Sequence, residues 1–120
     1  MAGAQPTSGD RSTVTNLAGR HCVPCEGGAA ALSAAEVAAL RSQIGGWEVI
    51  SGHHLARSFK FPDFHSALVF VNRVGEIADA EGHHPDIALS WGRVEVTLWT
   101  HSAGGLTEND FILAAKIDKL

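Results

Sequence analysis

Between Pro62-Asp63 and Glu81-Gly82, the apolar residues Phe64, Leu68, Val71, Val74 and Ala78 recur every three or four positions. That spacing lines one face of a helix near 63–80, about four turns long. On both sides of it the period drops to two. Leu55, Arg57, Phe59 and Phe61 alternate with His54, Ala56, Ser58 and Lys60. Farther on, Val94, Val96, Leu98 and Thr100 alternate with Glu95, Thr97, Trp99 and His101. Period two is the signature of a strand with one buried face. Each alternating run has a shorter partner across a tight turn: Trp47–Ile50 across Ser51-Gly52, and Ile87–Trp91 across Gly92-Arg93. A long one-faced helix set between two hairpins has an obvious surface on which to bury its apolar side.

Two more helices complete the pattern. Ser33 and Glu36 form a capping box ahead of Val37, Leu40 and Ile44, and Gly45-Gly46 stop that helix, which is expected near 33–43. Thr107 and Asp110 open a last helix carrying Phe111, Ala114, Ala115 and Ile117. The order is α-β-β-α-β-β-α. The expected fold class is α+β: a four-stranded antiparallel sheet with helices packed on one face. An edge strand left open would suit pairing with a second copy.

At 120 residues the chain makes one domain. A net charge of −4 and nine scattered Lys and Arg argue against a nucleic-acid binder, which would show a basic patch. No apolar run is long enough for a membrane span, and no segment has the layout of a secretory signal. Residues 1–28 read as a flexible tail with a Cys22-Val23-Pro24-Cys25 lead-in, and 29–120 as the folded domain. The lead-in lacks the second ligand pair of a zinc ribbon and the preceding strand of a thioredoxin-type site. Two thiols in a reducing, cytoplasmic compartment is the plainer reading.

Chemistry concentrates at Asp79-Ala80-Glu81-Gly82-His83-His84-Pro85 and at His101. Imidazoles exchange protons near neutral pH. Asp79, at the end of the long helix, is expected to hold His83 by one ring nitrogen and so set its tautomer. His84 precedes proline and is biased to extended backbone, so His83 and His84 should point apart. Strands three and four are antiparallel, so the end of the fourth lies beside the start of the third. His83, His84 and His101 should therefore converge at one end of the sheet. Three imidazoles and a carboxylate are also a common metal ligand set, but diverging neighbours chelate one ion poorly, so no metal is expected. His53-His54 read as exposed hairpin residues, His65 as a solvated helix position, and Trp47 and Trp99 as packing or interface residues.

The pattern Asp79-x3-His83-His84-Pro85-x5-Trp91-x9-His101-x8-Asp110 resembles the signature of pterin-4a-carbinolamine dehydratases, over roughly residues 32 to 120. The resemblance implies dehydration of a 4a-hydroxytetrahydropterin to quinonoid dihydropterin and water, in tetrahydrobiopterin recycling, without metal or organic cofactor. It implies that His83 and His101 flank the 4a position as acid or base, that His84 contacts the hydroxyl or the pterin, and that Asp79 supports His83. Pro85, Trp99 and Thr100 are taken as further substrate contacts. Trp91 fills the family's aromatic position, where packing alone would explain it. Asp110 is read as a helix cap and not as catalytic. The resemblance also implies a homodimer or homotetramer. The alternative from another class is a non-catalytic pterin-binding or scaffold protein on the same fold, which would have no use for all three histidines.

Overall fold

The computed structural model describes residues 17–24 and 30–120. Three helices and four strands follow in the expected order: α1 (Ala34–Arg41), β1 (Glu48–Ile50), β2 (His54–Lys60), α2 (Phe64–Glu81), β3 (Asp86–Ser90), β4 (Arg93–Leu98) and α3 (Glu108–Ile117). Ser33 caps α1 with the anticipated box, its hydroxyl accepting from Glu36 N and the Glu36 carboxylate accepting from Ser33 N. Asp63 caps α2 through Ser66 N at 2.7 Å, and this bond is the largest influence holding the Asp63 carboxyl below its ordinary range.

The sheet order is β1-β2-β4-β3, antiparallel throughout. The two hairpins join through β2 and β4, with Leu55 opposite Leu98 and Phe59 opposite Val94. Period two then does its work: Val94, Val96 and Leu98 are buried, while Arg93 and Glu95 are exposed. The helices cover this inward face, with Ala67 and Val74 of α2 and Phe111, Leu113 and Ala114 of α3 in one core with the strands. Trp47 is fully buried in the same core, and its indole N–H donates to Asp118 at 2.9 Å. Burying such a side chain contributes about 3 kcal/mol. Gly92 turns the β3–β4 hairpin at φ +66°, where an added Cβ would stand 2.8 Å from the Phe61 carbonyl oxygen. Both the backbone angle and the close approach require glycine there.

Three local expectations differ. β3 ends at Ser90, so Trp91 lies in the turn and is 74% exposed. β4 ends at Leu98, short of His101. Thr100 makes only an isolated bridge to Gly105, and His101 opens a 3₁₀ turn, His101–Ala103. Finally, residues 17–24, read from sequence as part of a loose tail, are docked. Leu17–Gly19 form a 3₁₀ turn and Leu17 is buried in the core. The tail's remaining positions, 1–16 and 25–28 with Cys25, lie outside the described residues, as does position 29.

Candidate active site

The site grows from the end of α2. Gly82 takes the left-handed conformation at φ 66°, and the N–H of His83 closes the helix on the Ala78 carbonyl at 3.2 Å. This is a Schellman-type stop, and it turns the chain sharply. His83 is carried away from α2 toward the start of α3. Its Nε2–H donates to Asp110 Oδ1 at 2.6 Å, with side-chain exposures of 12% and 0%. His84 turns the other way. Its Nε2–H donates to Asp79 Oδ1 at 2.9 Å, in a pair that is 61% and 84% exposed.

The expected partnership is thus exchanged. Asp79 supports His84, not His83, because the glycine turn carries His83 off the face that Asp79 occupies. The carboxylate behind His83 is Asp110, which sequence reasoning had reduced to a helix cap. It is a cap as well: its Oδ2 accepts from Thr107 N at 2.9 Å. The same oxygen accepts from the Thr100 hydroxyl at 2.9 Å, and Thr100 also bonds the Thr107 hydroxyl at 2.8 Å. Asp110 therefore has three donors in a buried setting, the condition under which a buried carboxylate is tolerated. The one available signal was its fixed spacing after His101 in the motif. Thr100, expected to touch substrate, is buried and its hydroxyl belongs to this network.

The network also draws the strand ends together. Thr100 precedes His101 in the chain, so the buried Asp110 ties the backbone beside His101 to His83. The register agrees: Asp86 of β3 stands opposite Thr97 of β4, so the chain just before β3 runs beside the chain just after β4. His101 is exposed, and its ring stacks on Trp99 with centroids 3.8 Å apart and planes 24° apart. Trp99 meets His53 as well, at 4.3 Å. His53 and His54, expected to be exposed, are half-buried, with their Nδ1 atoms 3.1 Å apart. The β2–β4 pairing causes this. With Leu55 opposite Leu98, the β1–β2 turn is delivered to the end of β4. His65 is exposed, as expected.

Chemically, each adjacent histidine has Nε2 committed to a carboxylate, which leaves Nδ1 as the nitrogen able to face a ligand. The two rings diverge to carboxylates on different elements. Among the described residues, no three His, Cys, Asp or Glu side chains are grouped to hold a metal ion.

Comparison with known proteins covers the segment that carries these residues. The family model for pterin 4 alpha carbinolamine dehydratase matches residues 30–120. The chain belongs to that family. A protein of Rubrobacter xylanophilus named for the same dehydratase is 53% identical over 107 residues, covering 89% of this chain and 100% of its own. One from Alkaliphilus metalliredigens, named likewise, is 50% identical, covering 88% and 96%. Among solved structures, the crystal structure of a transcriptional coactivator/pterin dehydratase from Brucella melitensis is similar at a TM-score of 0.70 and 36% identity. It covers 74% of this chain and 96% of its own.

Proposed function

We propose that this chain dehydrates a 4a-hydroxytetrahydropterin by histidine acid–base catalysis. The observation that carries the reading is the His83–Asp110 bond, in which a buried carboxylate orients an imidazole at the mouth of the strand ends. Family membership supplies the substrate class. In the reaction the C4a–O bond breaks and a proton delivered to the hydroxyl lets it depart as water. Electrons from the neighbouring ring nitrogen form the new C=N bond, and that nitrogen's proton is lost to a base. One proton is given and one is taken, so the pair of transfers is neutral overall. Each suits an imidazole and contributes roughly 10²–10⁴-fold. His83 and His101 fill the acid and base roles, and His84 contacts the hydroxyl or the pterin. Pro85 and Trp99 border the ligand. Asp110 and Asp79 are positioning residues.

No cofactor enters this scheme, and it calls for neither nucleic acid nor membrane. No helix among the described residues is long and apolar enough to cross a membrane. The reading places the protein in the cytoplasm as a homodimer or homotetramer. Exposed Trp91, and Phe64, Leu68 and Val69 on α2, offer apolar surface for such contacts.

The test is the rate of carbinolamine dehydration, with substrate generated in situ and followed by absorbance. It compares wild type, His83→Ala and His101→Ala, with and without EDTA. Acceleration that survives EDTA and drops at least about tenfold in each variant supports the dehydratase. Folded wild type that does nothing above the spontaneous rate refutes it and favours a scaffold role. The Brucella protein's name gives that alternative its footing, since it couples coactivator with dehydratase.

A further inference from the structure

We propose that the lead-in Leu17–Pro24 is a built-in clamp that positions His83 against Asp110, acting through Glu81 and Asn109. The proposal rests on the reading of His83 as a proton-transfer group. Glu81 is the last residue of α2, two before His83, and Asn109 directly precedes Asp110 in α3. The lead-in holds both. The Cys22 N–H donates to Glu81 Oε1 at 2.7 Å. The next residue, Val23, makes a two-way pairing with the Asn109 amide: Val23 N–H to Oδ1 at 3.0 Å, and Nδ2–H to the Val23 carbonyl at 2.6 Å.

Cys22 and Val23 are neighbours, so their Cα atoms are fixed about 3.8 Å apart across a rigid peptide. A single peptide step therefore sets the spacing between the end of α2 and the start of α3. That is the spacing the His83–Asp110 bond spans. The fit of a proton-transfer group to its carboxylate is sensitive on this scale, because a displacement of 1 Å can cost about 10²-fold in rate.

The clamp is reinforced on both sides. His21 Nδ1–H donates to Glu81 Oε2 at 2.9 Å. Lys116 of α3 lies 3.6 Å from the same oxygen and donates to the Ala18 carbonyl at 2.7 Å. Arg20 pairs with Glu108 at the first turn of α3. Asn109 is buried and the Glu81 side chain nearly so, which shields these bonds from competition by water. Burial pushes the Glu81 carboxyl up. The Cys22 N–H, His21 and Lys116 outweigh it and hold the group below its ordinary range. The family model begins at residue 30, whereas the match to the Rubrobacter protein takes in 89% of this chain and so includes the lead-in.

Val23 offers a clean test, because its side chain is exposed and its backbone does the work. In the full chain, Val23→Pro removes the N–H given to Asn109, while Val23→Ala keeps it. Two quantities are compared: water exchange of the His83 Nε2 proton by NMR, and kcat and KM for carbinolamine dehydration. Val23→Pro should speed exchange about fivefold, the equivalent of one hydrogen bond. It should lower kcat about three- to tenfold while KM moves less than about twofold. Val23→Ala should match wild type in both. A folded Val23→Pro variant that is less heat-stable yet unchanged in His83 exchange and kcat makes the lead-in a stabilising tail and overturns the proposal. If Val23→Pro does not fold, Glu81→Gln is judged by the same two readouts, and an unchanged His83 proton there overturns it equally. If wild type has no dehydratase activity, the functional reading fails separately and the NMR comparison still decides the clamp.

Discussion

His83 and His84 are consecutive, both bonded through Nε2 to an aspartate, and almost opposite in setting. The His83–Asp110 pair is enclosed, and its carboxylate has two further donors in Thr100 and Thr107. The His84–Asp79 pair stands in solvent on the last turn of α2. The same two side-chain types thus make a rigid bond and a loose one. Water competes freely for the exposed pair, which leaves it worth well under 1 kcal/mol. A buried carboxylate has no such alternative partner, so its bonds persist and direct the imidazole. His83 is accordingly the better placed to hold one tautomer through a reaction, and His84 the freer to follow a ligand.

The sharpest way to break this comparison is at the carboxylates. Asp110→Ala should destabilise the fold by about 3 kcal/mol, since it strands His83, Thr100 and the Thr107 N–H. It should also lower dehydration roughly 10²-fold. Urea unfolding and steady-state rates measure the two effects. Asp79→Ala should cost less than about 1 kcal/mol and less than about threefold in rate. Equal losses in the two variants would erase the distinction drawn from burial. Next in size is Gly82→Ala. Nothing lies within 4 Å of the added Cβ, so its whole effect is backbone strain at φ +66°. That strain is about 1 kcal/mol in thermal unfolding, with a rate loss that reflects a misdirected His83.

The smallest expected effect concerns acid. The carboxyl of Glu81 is held below the 4.5 of an unperturbed glutamate, so folding favours its charged form. The stability it contributes is present above that value and is lost as pH falls through the lower folded value. Wild type and Glu81→Gln should therefore differ in urea stability near neutral pH and converge in acid. A gap that persists or widens in acid would show the sign to be wrong.

Much of the fold was readable along the chain because periodicity is local. The spacing of Phe64, Leu68, Val71, Val74 and Ala78 marks a helix without reference to anything distant, and the alternation from Val94 to Leu98 assigns the inward face of β4 correctly. Ser33 and Glu36 needed only each other. The errors arose where a local pattern met a contact from elsewhere. His53 looked exposed because the hairpin sequence carries no mark of β4, yet the β2–β4 register sets it beside Trp99. Leu17 looked like part of a featureless tail because a single apolar residue has no period, although it fills the core beside α3.

By itself the sequence determined the elements, their order and the presence of three imidazoles and one aspartate, Asp79, near one end of the sheet. Hydrophobic spacing and turn chemistry are encoded within a few residues of where they act. Which carboxylate meets which imidazole was decided only by the tertiary structure. Asp79 is nearer to His83 in sequence than Asp110 is, but a helix stop at Gly82 turns the chain, and the docking of α3 against the end of α2 places Asp110 within 2.6 Å across 27 residues. That bond depends on packing between elements, and neither segment alone carries the information to form it.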